Sequence, residues 1–107
     1  MNNLLFICSR NQWRSPTAEK IYRQKGYSTR SAGTSPNAKR TVSAADITWA
    51  DIIFVMEKKH KNRITATFTR LVEYKPLHIL DIPDEYGFMD EDLIDHLEDV
   101  VLPYLKK

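Results

Sequence analysis

Cysteine occurs once in the 107 residues and glycine three times, and both scarcities bound what the chain can be. A lone thiol cannot close an internal disulfide, which fits a reducing compartment and predicts a cytoplasmic protein. It also removes the multi-cysteine metal sites, and His60, His78 and His96 show no ligand-like spacing with one another, so no metal is expected. No apolar run approaches the roughly 20 residues that span a bilayer, so no membrane partner is expected. A basic lead followed by a long apolar region and a small-residue cleavage site is missing from the N-terminus, so secretion is not indicated. Charge of one sign is scarce as well. Sixteen Lys and Arg against fourteen Asp and Glu leave a net +2, far short of a dedicated nucleic-acid binder. The length suits one domain over 1–107.

What is present alternates. Apolar runs suited to buried strands lie at about Asn3–Ile7, Tyr27–Ser31, Ala50–Met56 and Leu77–Leu80. Between them come helical patterns: Pro16 to Gly26, a turn beginning at Ser43, Glu57 to about Glu73, and a C-terminal helix with Leu93, Leu97, Val101 and Leu105 on one face. Asp90 can cap that last helix. Strands alternating with helices predict an α/β fold, a parallel sheet wrapped by helices. The loops after the strands then converge on one sheet edge, where ligands bind in such folds. Lys58, Lys59, Lys61 and Arg63 form a basic middle, and the last quarter is acidic; both read as solvated helix faces. Nothing near the basic run resembles an aromatic platform for stacking RNA bases.

The chemistry concentrates in Cys8-Ser9-Arg10-Asn11-Gln12-Trp13-Arg14-Ser15, between the first strand and Pro16. A cysteine at a strand end is by itself an ordinary buried hydrophobe. Five residues later, however, stands Arg14, whose planar fork suits two phosphate oxygens. Ser15-Pro16 predicts a helix start, with Ser15 as N-cap and Pro16 at the first helical position. Amide groups of a strand-to-helix loop can point at one anion, and the helix N-terminus favours both a thiolate and a phosphate.

Cys8 to Glu19 resembles the phosphate-binding loop and following helix of the low-molecular-weight protein tyrosine phosphatases, with Asn11, Arg14, Ser15 and Pro16 matching. Ser31-Ala32-Gly33-Thr34 is similar to the family segment after the second strand, whose serine braces the loop. Ala50 to Glu57 with His60 is similar to its third strand and the turn after it, and Asp81-Ile82-Pro83-Asp84-Glu85-Tyr86 to its acid loop. The resemblance implies a three-layer α-β-α fold with a four-stranded parallel sheet, flavodoxin-like and phosphotyrosine phosphatase I-like. It implies a phosphomonoester hydrolase, most simply a protein-tyrosine phosphatase, acting through a phosphocysteine. Cys8 is then the nucleophile, Arg14 the phosphate clamp and Asp84 the general acid, with Asp81 in reserve. Ser9, Arg10, Asn11, Gln12, Trp13 and Ser15 bind phosphate or substrate, Tyr86 is the ring beside the substrate, and Ser31 supports the loop. No cofactor is implied, and the partner is a phosphotyrosine-containing protein or a small phosphomonoester.

Departures carry expectations of their own. Arg10 replaces a glycine, so it needs a tolerated backbone conformation or a different local path. Trp13 replaces a second cysteine common in the family, leaving oxidised Cys8 no internal resolving thiol and making the site redox-sensitive. Trp13 either packs into the core behind the loop or walls the pocket. Glu85 replaces a proline. A stretch that the family carries after the Ser-Ala-Gly-Thr segment, with a helix and a loop-bracing histidine, is missing. These departures keep open a non-catalytic phosphate- or phosphopeptide-binding module. Arsenate reductases of this fold need additional cysteines, and a phosphocarrier would not need Arg14 or Asp84 in these places.

Overall fold

The computed structural model describes residues 3–105. Four parallel strands, β1 (Asn3–Cys8), β2 (Ser28–Gly33), β3 (Ile52–Val55) and β4 (Leu77–Ile79), lie in the order β2-β1-β3-β4. Five helices connect or follow them: α1 (Arg14–Gln24), α2 (Ala44–Trp49), α3 (Lys58–Thr67), α4 (Thr69–Val72) and α5 (Glu91–Leu105). This is the expected α/β sheet.

The two-residue period of β1 divides the core. Leu4, Phe6 and Cys8 face one layer with Ala18 and Ile21 of α1 and Leu93, Leu97 and Val101 of α5. Leu5 and Ile7 face the other, with Ile47 of α2 and Ile64 of α3. Phe6 is fully buried, stacked on Tyr22 at 5.7 Å and Phe54 at 5.3 Å. Both faces of β1 are therefore covered, which is why its sequence is a continuous apolar run. The chain starts at β1, moves outward to β2, then crosses back to β3 on the other side. The C-terminal end of β1 consequently sits at the reversal of strand order, the position where open α/β sheets hold ligands.

Several local readings change. The helix expected from Pro16 begins two residues earlier, at Arg14, and its N-cap Trp13 makes no side-chain cap bond. Ser15 lies inside the helix with its hydroxyl turned to Cys8 and caps no backbone amide, while Thr17 Oγ1 donates back to Trp13 O, four residues earlier, at 2.6 Å. Gly26 does end α1: at φ 101° its amide donates to Arg23 O, and Tyr27 N–H reaches Tyr22 O. β2 runs two residues past its expected end at Ser31, so Ala32 and Gly33 also lie within the strand.

The helical turn at Ser43 is a six-residue helix with a reciprocal capping box between Ser43 and Asp46. The single helix expected over Glu57–Glu73 is broken at Phe68 (φ −123°, ψ 42°), whose ring turns in against the Ile64 layer. Asp90 caps α5, its Oδ1 accepting the Asp92 amide at 2.8 Å.

Candidate active site

The loop from Cys8 to Arg14 is shaped mainly by the segment that follows β2. Thr34 N–H donates to Cys8 O at 3.0 Å, Ser35 N–H to Ser9 O at 2.9 Å, and Lys39 N–H to Arg10 O at 3.0 Å. In a planar trans peptide the carbonyl and the next amide point in opposite directions. Three carbonyls drawn outward therefore turn the amides of Ser9, Arg10 and Asn11 inward. The Asn11 amide is 3.2 Å from Cys8 Sγ. A ring of amides is thus held by the short connection after β2.

Close approach makes Gly33 necessary. A Cβ there would lie 2.5 Å from Ser9 O and 2.6 Å from Ala38 Cβ, so any side chain would push the loop off β2. Asn11 takes the left-handed conformation at φ 56°, which Asn tolerates better than most residues. Its amide donates to Ser15 Oγ at 3.0 Å and to Ser31 Oγ at 2.9 Å; Ser31 in turn donates to Glu19 Oε1 at 2.6 Å. Ser31 therefore reaches the loop through Asn11, with Glu19 as an anchor that the sequence pattern did not single out. Arg10 has no positive φ, so its side chain costs the loop no backbone strain.

Cys8 is 3 % exposed at the base of a cavity of about 290 Å³. Its Sγ lies 2.9 Å from Ser15 Oγ, so an amide and a hydroxyl both approach this atom. Arg14, Asp84, Ser9 and Arg10 also line the cavity, while Gln12 and Trp13 form its wall. Trp13 is 45 % exposed, which resolves its two expected placements in favour of the wall.

Arg14 is buried, and its Nη1 donates to Glu57 Oε2 at 2.5 Å and to Ile82 O at 2.8 Å. Nη1 is fully used by these two acceptors, leaving Nε and Nη2 as the pair of donors for an anion. Nε lies 3.7 Å from Asp84 Oδ1. Burial alone would raise the Glu57 carboxyl, but the Arg14 hydrogen bond and charge outweigh it and hold the group below its usual value.

His60 supplies a brace from a different element. It is 1 % exposed; its Nδ1 accepts the Glu57 amide at 3.0 Å, so in the neutral ring Nε2 carries the proton and donates to Ser9 Oγ at 2.8 Å. Burial, reinforced by the Arg14 charge, pushes its pKa down to about 4, which keeps the ring neutral. Glu57 and His60 lie in the stretch whose sequence resembles the family's third strand and following turn, but that resemblance gave neither residue a role.

The acid loop splits its candidates. Asp84 lines the cavity, whereas Asp81, at φ 55°, is exposed and lies outside its lining. Tyr86, expected beside the substrate, is likewise outside the lining; it packs half-buried against the layer formed by Ile82 and Leu93, because that apolar surface is where its ring can be buried. Trp13 is then the aromatic ring at the cavity. Among the described residues, no three His, Cys, Asp or Glu side chains group as metal ligands, and no helix is long and apolar enough to cross a membrane.

No family model and no curated protein match the chain. Solved structures do. The tyrosine phosphatase Wzb from Escherichia coli K30, in complex with phosphate, aligns at TM-score 0.77 and 21 % identity over 96 % of this chain and 95 % of that one. SP-PTP, a low molecular weight protein tyrosine phosphatase from Streptococcus pyogenes, aligns at 0.78 and 15 % over 100 % and 95 %. YwlE arginine phosphatase from Geobacillus stearothermophilus aligns at 0.71 and 23 % over 97 % and 95 %. Nearly end-to-end alignment with these proteins identifies the architecture around Cys8 as the flavodoxin-like α/β fold of the low-molecular-weight protein tyrosine phosphatases.

Proposed function

We propose that this protein is a phosphomonoester hydrolase acting on phosphotyrosine through a phosphocysteine intermediate. The observation that carries the reading is the convergence on one cavity of a thiol flanked by an amide and a hydroxyl, a buried guanidinium, and a carboxyl on the opposite loop. The Cys8 thiolate attacks phosphorus, and the bond to the leaving oxygen breaks. Asp84, as the carboxylic acid, gives that oxygen its proton, since a phenoxide departs poorly without one. The resulting Asp84 carboxylate then takes a proton from water; the hydroxide attacks phosphorus, the S–P bond breaks, and thiolate and inorganic phosphate are released.

Arg14 and the inward amides hold the equatorial oxygens, and they accelerate the reaction by binding the transition state more tightly than the substrate. Glu57 fixes the Arg14 fork, and Asn11, Ser31, Gly33 and His60 hold the loop. Trp13 offers an aromatic wall for a phenyl ring, which supports phosphotyrosine over an aliphatic phosphoester.

The test is turnover of a phosphotyrosyl peptide beside the same peptide carrying phosphoarginine. Phosphotyrosine hydrolysis abolished by Cys8→Ser and severely reduced in Arg14→Lys is the expected result, because an ammonium cannot reproduce the two-pronged contact. Selective phosphoarginine hydrolysis would reassign the substrate. Phosphopeptide binding without turnover would make the protein a recognition module.

A further inference from the structure

On the Ser9 side of the cavity the molecule carries a second groove, of about 560 Å³, that the hydrolysis reading does not use. It shares Ser9 with the cavity and runs along α3, where Lys59 and Arg63 face Ser35 of the connection after β2. Asn62 adds a polar group and Ala66 a small apolar floor. No acidic side chain lines it. Among the described residues Arg63 forms no ion pair, and Lys59 reaches only Glu57, at 4.0 Å. Arg10, also without an ion pair among the described residues, lines the neighbouring cavity. Cationic charge therefore collects on one side of the phosphate site, next to the position a substrate's flanking chain must cross.

We infer that this groove binds acidic residues flanking the phosphorylated residue of an extended peptide. The inference rests on the phosphotyrosine reading above and names the substrate class it takes. Lys59 and Arg63 stand four residues apart on α3, so their Cβ atoms lie about 5–6 Å from one another along one face. Alternate side chains of an extended strand recur at about 7 Å on the same side. Two carboxylates at alternating positions of an extended chain thus meet the two cations in register, while the phosphorylated residue enters the cavity.

The experiment uses Cys8→Ser protein and two fluorescent phosphotyrosyl peptides, one with Asp or Glu at alternating flanking positions and one with Ser there. Anisotropy titration should show the acidic peptide binding about 10-fold tighter at low salt, shrinking to about 2-fold at high salt, as exposed charge pairs are screened. Arg63→Glu should abolish that preference yet leave hydrolysis of a small aryl phosphate by otherwise wild-type protein unchanged. Equal binding of the two peptides would overturn the inference, as would a preference that survives both Arg63→Glu and Lys59→Gln. Arg63-dependent binding of single-stranded RNA with no peptide preference would overturn it in favour of a nucleic-acid surface. Binding of neither peptide would overturn the phosphotyrosine reading and the groove's role together. Should Cys8→Ser lose its fold by circular dichroism, the same titrations with phosphonate-containing peptides on the wild-type protein give the same decision.

Discussion

Asn11 donates to Ser31 Oγ at 2.9 Å, joining the cysteine loop to β2 across twenty positions of sequence. The same amide group bonds Ser15, whose hydroxyl is 2.9 Å from Cys8 Sγ, so one side chain fixes the loop, the strand and the nucleophile's neighbour. Asn11→Ala should cost about 3 kcal/mol, combining two lost hydrogen bonds with a left-handed backbone that Ala tolerates poorly. Asn11→Gly should recover about 1 kcal/mol of that by relieving the backbone, without recovering turnover. Urea unfolding of both variants beside their aryl-phosphate rates separates the two contributions.

Gly33→Ala should weaken both fold and site. The added Cβ meets Ser9 O at 2.5 Å, a backbone atom that cannot step aside without carrying the loop. A loss of about 1–3 kcal/mol is expected from such overpacking. Hydrolysis should fall by a larger factor than the fraction unfolded explains, and comparing the denaturant midpoint with the specific activity checks this.

His60 makes stability depend on pH in a defined window. Its folded pKa, about 4, lies below the ordinary 6.5, so the unfolded chain binds more protons between those values. The contribution is fully present above about 6.5 and is lost as pH falls towards about 4. About 2 kcal/mol should disappear between roughly pH 7 and pH 5. Glu57 adds a loss in the same direction below its usual carboxylate range. His60→Asn should be less stable at neutral pH and show a flatter dependence above pH 5, measured by denaturant unfolding across that range.

The two acids of the loop after β4 separate by leaving group. Asp84 lines the cavity and Asp81 does not, so Asp84→Asn should cost most on phosphotyrosine and least on activated aryl phosphates whose phenoxide departs without a proton. Asp81→Asn should show a similar proportional change for both. A steep leaving-group series in Asp81→Asn with a flat one in Asp84→Asn would exchange their roles.

Legibility in the sequence followed the range of the interactions. β1 and β3 were readable because their residues are buried on both faces, and Gly26 because a helix end is a local event. Cys8 and Arg14 were readable because one loop holds them both. Ser15 departs from its local preference: a hydroxyl before proline favours a cap, but the thiol at 2.9 Å claims it. The break at Phe68 has no Gly or Pro to announce it and arises from the ring turning into the Ile64 layer. Glu57 and His60 act across 43 and 51 positions, on Arg14 and Ser9, and no local pattern states such pairings. Tyr86 sat beside Asp84 in sequence but followed the apolar surface instead.

The central claim is a covalent phosphate on Cys8. Acid quench of the protein during turnover of a phosphotyrosyl peptide, followed by mass spectrometry of the peptide containing Cys8, tests it directly. The account predicts phosphate on Cys8 at a level that rises with substrate and vanishes in Arg14→Lys and Cys8→Ser. Steady turnover with no phosphate on Cys8 at any quench time, or turnover that persists in Cys8→Ser, would contradict it.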